Sequence, residues 1–489
     1  MRVLWPVHRL EKDYSQYPGI MTISALLKEN GIRTEVVSAD LDSVRKKLSD
    51  NGDAIVAYST PSAFSSFYLG FNRELKIEFP DIFSVFGGAH PTYFPEIVEE
   101  PGVDGVCIGE GEHPLLELAQ ARTAGEPITS LQNWWIKDAG TIHRNPIRPL
   151  IEDLDDLPIP DREIFSDAAQ RRLPHAIVMT GRGCPYGCTY CYNHVYRKLY
   201  TGKGKVVRRR SVEHVMRELR QIKAEGCRFI RFMDDLFILS PDWVHEFAAR
   251  YRDEIDLPFS CLVRANLVTE GLVQSLKEAG CHRIMMGIEA GNDRLRNEIL
   301  KRNMSRQEIL DAGRIVRAAD ITLVTANILA IPGGSLQEDW ETVDLNLEVR
   351  PHYASAAVLQ PFPGTEIHEI AASMDLLDED HLTRGAREEF GFSTVLKSKS
   401  KKEMRQVENL HKFFPLLIWF PFMKPVVRLL IKLPPNRLFE LFYMTCINIG
   451  THLISIPASV GGPMLLHKLG LYLQPWKRRA HRPAGASRG

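Results

Sequence analysis

Gly183-Cys184-Pro185-Tyr186-Gly187-Cys188-Thr189-Tyr190-Cys191 directly follows a short apolar run at 176–180 that reads as a β-strand. Three cysteines separated by three and then two residues can close one loop around a single metal centre. Thiolates are the natural ligands of iron–sulfur clusters, and three ligands rather than four leave one iron open. An open iron can chelate S-adenosylmethionine (SAM) through its amino and carboxylate groups. An electron passed to the sulfonium then breaks a carbon–sulfur bond and yields a 5′-deoxyadenosyl radical. In such chemistry the protein supplies position and the exclusion of water. A structural zinc ion, with His194 as fourth ligand, is the competing reading, although zinc ribbons usually draw ligands from two separated pairs that this sequence lacks.

Downstream of the loop, strand and helix patterns alternate from 176 to about 376. The strands end at Thr180, Met233, Val263, Gly287, Ala330 and Leu359. Ser240-Pro241 gives a helix start with proline in the first turn. Ser305-x-x-Glu308 and Ser335-x-x-Glu338 fit capping boxes. Thr269 opens a helix that stops at Gly280. Six strand–helix repeats amount to about three quarters of an eightfold barrel.

The cysteine spacing and this context resemble the radical SAM superfamily, and the resemblance covers the whole of 174–376. It implies roles at several strand ends. Asp234 and Asp235 stand where the family has an acidic motif for the methionyl amino group. Arg264 resembles an arginine that pairs with an acidic group at the site, and Glu289, in Gly287-Ile288-Glu289-Ala290-Gly291, resembles the ribose-binding position. Ile331-Pro332-Gly333 resembles the adenine-side turn, but Ala330 replaces a frequent glycine and Gly334-Ser335 a frequent Glu-Thr. Pro361-Phe362-Pro363-Gly364-Thr365 also fits, as barrel-closing structure.

Upstream, residues 1–125 read as five strands, near 3–7, 34–38, 54–58, 82–86 and 105–108, interleaved with helices. That order implies a doubly wound, Rossmann-type α/β sheet whose ligands bind beyond the carboxyl ends of the strands. Ser59, Thr60, Gly87, Gly88 and Gly109 fall there. Gly87-Gly88-Ala89-His90-Pro91 and Gly109-Glu110-Gly111-Glu112 resemble the cobalamin-binding domain fused to many radical SAM enzymes. The Asp-x-His-x-x-Gly motif of many such domains is missing: Pro6 and Glu11 flank His8 in the places of its aspartate and glycine. His8 is therefore not expected to be an axial cobalt ligand. Residues 126–173, rich in proline and acidic side chains, read as a connector without a packed element.

The chain has 489 residues, with 61 Lys plus Arg against 61 Asp plus Glu, so no global field draws in nucleic acid. The first residues carry no apolar signal core, which suggests a cytoplasmic, reducing compartment. There Cys107, Cys227, Cys261, Cys281 and Cys446 read as small buried hydrophobes. Residues 377–489 read as apolar helical segments, broken by prolines and interleaved with basic residues, ending in a basic tail. They suit either a cap on the barrel or a peripheral contact with the inner face of a membrane.

The resemblance implies a [4Fe-4S] cluster, SAM and cobalamin as cofactors, and a reducing partner such as flavodoxin or ferredoxin. It implies methylation of an unactivated carbon of a hydrophobic small molecule through a 5′-deoxyadenosyl radical. A cyclase or rearrangement enzyme with the same cofactors, and a cobalamin-responsive regulator, are the alternatives. The three clustered cysteines speak against the regulator, because a sensor needs no open iron.

Overall fold

The structure is a computed structural model and describes residues 1–8, 16–48, 54–165, 174–377, 396–397, 400–462 and 464–465. The basic tail from Lys477 and the segment 378–395 lie outside the described residues.

The first half is a Rossmann-like sheet. Strands β1 (Arg2–Val7), β2 (Arg33–Ser38), β3 (Ala54–Ser59), β4 (Phe83–Gly87) and β5 (Gly105–Cys107) run parallel in the order β2-β1-β3-β4-β5. Helices α1 (Pro18–Glu29), α2 (Leu41–Leu48), α3 (Ser65–Glu78), α4 (Ala89–Tyr93) and α5 (Glu112–Ala124) connect them. Successive strand residues feed opposite faces. Ile55, Val85 and Trp5 pack under α1 and α5 with Leu27, Leu115 and Leu118. Val56, Tyr58 and Phe86 pack against α3 through Tyr68, Phe71 and Leu75. Burial on both faces explains why the strands read as continuous apolar runs.

The proline-rich connector does contain a packed element. Within the proline-rich 126–173 segment, β6 (Trp134–Asp138) and β7 (Thr141–Arg144) form an antiparallel hairpin that extends the sheet beyond β5. Trp134 is fully buried in that core, and its indole N–H donates to the Pro114 carbonyl at 2.9 Å.

The second half is an open parallel sheet. Its strands are β8 (Ala176–Val178), β11 (Ile230–Phe232), β12 (Phe259–Val263), β13 (Cys281–Glu289), β14 (Thr322–Leu329) and β15 (Tyr353–Val358), in the order β15-β14-β13-β12-β11-β8. A two-stranded antiparallel pair, β9 (Gly181–Arg182) with β10 (Arg208–Arg209), stands at the mouth. Helices α6 (Tyr192–Leu199), α7 (Val212–Ala224), α8 (Pro241–Glu254), α9 (Glu270–Glu278), α10 (Arg306–Ala318), α11 (Leu336–Val349) and α12 (Glu366–Ser373) follow the strands. Both anticipated capping boxes form, at Ser305/Glu308 and Ser335/Glu338. Thr269 caps α9 at the Leu272 N–H, and Gly280 ends it with φ +90°.

Three further helices follow: α13 (Lys401–Trp419) lies against the β15 edge, and α14 (Lys424–Leu430) and α15 (Arg437–Asn448) pack on α13. Leu410, Phe413, Phe414 and Leu417 of α13 are buried with Ala354 and Ala356 of β15 and Trp340 of α11. The first apolar cluster of the carboxyl-terminal region is therefore core.

The two halves are tied by charge. Glu110, just past β5, accepts from Arg182 of β9 at 2.7 Å and from Arg208 of β10 at 2.9 Å, while Glu112 pairs with Arg182 at 2.5 Å. The Ile151 N–H also donates to Glu110, at 3.0 Å. Burial alone would raise the Glu110 pKa, but the two guanidiniums hold it below the ordinary carboxylate value. Gly109 has φ +85°, and a Cβ there would sit 1.8 Å from the Tyr200 hydroxyl, so this glycine is required by contact with the second half of the chain. Removing one partner of a buried ion pair costs about 3–5 kcal/mol. Glu110→Gln should lower unfolding free energy by about that amount at neutral pH, read by denaturant titration. Because the folded pKa is depressed, the contribution is present above the ordinary carboxylate pKa and fades as pH falls through the folded value. The wild-type–variant gap should therefore shrink in acid.

Candidate active site

Helix α1, the ends of β3 and β4, the turn after β5 and the cysteine loop enclose one cavity of about 870 Å³. Ser59, Gly87, Gly88 and Gly109 line it from the first half; Gly183, Cys191, Asn193 and Asp235 line it from the second. Its deep wall is apolar, formed by Trp5, Ile20, Ile23, Leu115 and Trp134. Tyr93 and Tyr192 stack across the junction with ring centroids 4.1 Å apart and planes 10° apart. Thr60 stands apart from the lining residues: it is buried, donates its N–H to the Gly87 carbonyl at 2.8 Å, and accepts from the His90 N–H at 2.9 Å. Its backbone lies 3.1 Å from where a Cβ on Gly88 (φ +95°) would stand. Thr60 therefore shapes the Gly87-Gly88 turn from behind. His8 packs on Phe67, ring centroids 4.0 Å apart, and does not line the cavity.

The cysteine loop is held from both ends. Thr189 donates its N–H to the Leu300 carbonyl and its hydroxyl to that of Ile299, and the Ile367 N–H donates back to the Thr189 carbonyl. Cys188 is buried; Cys184 and Cys191 are partly exposed. Burial pushes the Cys184 thiol up to about 11, and Asp235 and the two other cysteines add to the shift. Burial raises the Cys191 thiol as well. Among the described residues no three His, Cys, Asp or Glu side chains close around a point the size of one ion. His194, the fourth ligand of the zinc reading, instead accepts from the Glu366 N–H at 3.2 Å.

Two guanidiniums converge on Cys188. Arg264 Nη1 stands 3.8 Å from its sulfur and Arg302 Nη1 3.7 Å. Arg264 is fully buried, lies over the Tyr186 ring at 3.8 Å and donates to Asn266 Oδ1 at 2.7 Å. Arg302 Nη2 donates to the Gly287 carbonyl at 2.7 Å and lies 3.8 Å from Glu289. Arg264 Nη2 and Arg302 Nε are buried without a hydrogen-bond partner. Sequence reasoning missed Arg302, which sits in a loop with no motif of its own.

The acidic candidates separate. Asp235 opens into the cavity, where the Gly183 N–H and the Asn193 side chain bond to it. Asp234 turns back into the fold: its Oδ1 accepts from the Thr180 N–H at 2.9 Å and hydroxyl at 2.8 Å, and burial raises its carboxyl to about 6. Its Oδ2 is buried and unpartnered. Glu289 ends β13 with φ +68° and accepts from the Tyr190 hydroxyl at 3.0 Å. Burial raises its carboxyl despite Arg302 and Tyr190. Ala330 takes φ +60°, a left-handed conformation that glycine adopts more readily than alanine.

Residues 178–345 match the Radical SAM superfamily, and residues 13–119 match the B12 binding domain. The chain belongs to the B12-binding radical SAM enzymes. This radical SAM enzyme is 28% identical to an uncharacterized methyltransferase, PH0819, of Pyrococcus horikoshii, over 73% of this chain and 79% of that one. It is 23% identical to the anaerobic magnesium-protoporphyrin IX monomethyl ester cyclase of Rubrivivax gelatinosus, over 82% of this chain and 74% of the relative. The cobalamin-dependent SAM radical enzyme OxsB shares the fold with a TM-score of 0.68 at 17% identity, covering 96% of this chain and 75% of OxsB.

The family's cofactors are a [4Fe-4S] cluster, SAM and cobalamin, and the residues present fit them. Partnerless buried guanidinium nitrogens beside Cys188 suit an anionic, thiolate-held cluster. A large, mostly apolar cavity with a glycine turn at the strand ends suits a flat ligand. Changing Cys184, Cys188 or Cys191 to Ala should abolish iron and sulfide incorporation on anaerobic reconstitution. The same change at buried Cys107, Cys227, Cys261, Cys281 or Cys446 should leave it intact, at about 1–2 kcal/mol each.

Proposed function

We propose that this enzyme methylates an unactivated carbon of a hydrophobic small molecule that it meets at a membrane surface. The observation that carries the reading is the single cavity shared by the Gly87-Gly88 turn and the cysteine loop. Both cofactors can then face one substrate carbon. Bound there, the cluster and SAM would supply a 5′-deoxyadenosyl radical, and cobalamin would supply the methyl group.

The chain's own residues divide the rest of the task. Cys184, Cys188 and Cys191 hold the cluster, and Arg264 and Arg302 balance its negative charge at Cys188. Asp235 receives the methionyl amino group in the cavity. Glu289, fixed by Tyr190 and Arg302, orients the ribose from behind the loop. Asp234 positions the strand end that carries Asp235. Ser59, Gly87, Gly88 and Gly109, with Thr60 beneath them, hold the corrin face. Trp5, Ile20, Ile23 and Leu115 exclude water and favour an apolar substrate, since burying apolar surface contributes about 25 cal/mol per Å². A flavodoxin- or ferredoxin-like donor delivers the electron.

The similarity to a cyclase supports the second reading, ring formation with the same cofactors. One experiment separates the two. Anaerobically reconstituted enzyme, given a low-potential reductant, SAM with a deuterated methyl group, cobalamin and an apolar extract, should yield 5′-deoxyadenosine, S-adenosylhomocysteine and a product bearing the deuterated methyl. Formation of 5′-deoxyadenosine with no label in any product would overturn methyl transfer and leave cyclisation.

A further inference from the structure

Helix α13 spends its apolar face on the barrel, but the helices after it do not. On the α14 side Val427 and Ile431 are buried, while Val426 and Leu429, three apart, face outward. Helix α15 buries Phe439, Tyr443 and Cys446 and turns Leu438 and Leu441, again three apart, to solvent at 70% and 66% exposure. Phe422, between α13 and α14, is 75% exposed. Of the twelve large apolar side chains exposed among the described residues, eight fall within 420–453. Single exposed leucines are ordinary; such a concentration marks an interaction surface.

Charge says what the surface meets. Residues 420–489 contain ten Lys or Arg and one acidic residue, Glu440, in a chain whose totals balance at 61 against 61. Lys424 is engaged with Asp344, and Arg428 lies over Trp340 at 5.2 Å. Lys432 and Arg437, at the turn between the two leucine faces, are exposed and in no ion pair among the described residues. No helix among the described residues is long and apolar enough to cross a membrane. Apolar side chains beside unpaired cations, on helices too short to span, are the chemistry of a segment lying in a lipid interface.

We propose that the outward faces of α14 and α15 form a docking surface for an anionic phospholipid bilayer. Phe422, Leu429, Leu438 and Leu441 enter the boundary between head groups and acyl chains, and Lys432 and Arg437 meet lipid phosphates. This deepens the reading of a hydrophobic substrate, since a protein seated on the bilayer can draw an apolar molecule from it. Vesicle binding is measured without turnover, so the surface and the methyl-transfer reading fail separately.

The test is sedimentation of the full chain with phosphatidylcholine vesicles, with and without phosphatidylglycerol. The protein should pellet with the anionic vesicles and much less with the neutral ones, and high salt should release it. Lys432→Glu with Arg437→Glu should weaken partitioning by at least about fivefold per residue. Leu438→Glu with Leu441→Glu, at sites too exposed to disturb folding, should abolish it while circular dichroism and cluster content stay unchanged. Absence of pelleting with anionic vesicles would overturn the proposal. So would wild-type binding by the leucine variant, which would leave the electrostatics to the tail alone. A wild-type dimer on size exclusion that the leucine change converts to monomer, with no vesicle binding, would assign the face to a second copy instead.

Discussion

The structure depends on the ion-pair set that joins Glu110 and Glu112 to Arg182 and Arg208. These residues stand at the ends of two unrelated sheets. The acids follow β5, and the arginines sit on the small β9–β10 pair beside the cysteine loop. Their pairing sets the Gly87-Gly88 turn opposite Cys191 and Asp235. Buried ion pairs contribute little net stability over apolar contacts, but they punish misplacement severely. That is what the junction requires, because a small error in docking would separate the two halves of the cavity. The Tyr93–Tyr192 stack and the contact of Tyr200 with Gly109 fill the same seam with surfaces that tolerate little slippage.

Within the second half, charge is laid out on two sides of the loop. Two buried guanidiniums approach Cys188, and the carboxylate of Asp235 approaches Cys184 and Cys191 from the cavity. Cationic nitrogens buried without partners are costly unless a negative group meets them. Asn266, Tyr186 and the Gly287 carbonyl hold Arg264 and Arg302 in place, and the proposed cluster would bring the negative charge to meet them. Glu289 is itself held in a left-handed conformation by Tyr190 and Arg302, and backbone strain of that kind concentrates at functional sites.

Much of this was readable in the sequence, for identifiable reasons. The strand runs were visible because both faces of each sheet are covered, and the caps at Ser305 and Ser335 because a capping box is a local chemical pattern. The cysteine loop stood out because the proposed cluster ligation would fix residue type and spacing together. The β6–β7 hairpin was hidden by its proline-rich surroundings, although the alternation within it is what an edge hairpin needs. Glu110 was hidden by its glycines, which suggested a ligand turn, whereas its arginine partners lie seventy residues and more away. Arg302 reaches the site through side-chain length from a loop without a pattern. Phe413 and Leu438 look alike in sequence, and only packing separates the buried residue from the exposed one.

If one cavity holds both cofactors, their metals must sense each other. Electron paramagnetic resonance of protein carrying cob(II)alamin, recorded with the cluster oxidised and then reduced, tests this directly. The cobalt signal should broaden or split when the cluster becomes paramagnetic, and should show no nitrogen splitting that depends on His8. A cobalt signal indifferent to the state of the cluster would mean that the two are bound apart, and the shared cavity would not be the active site.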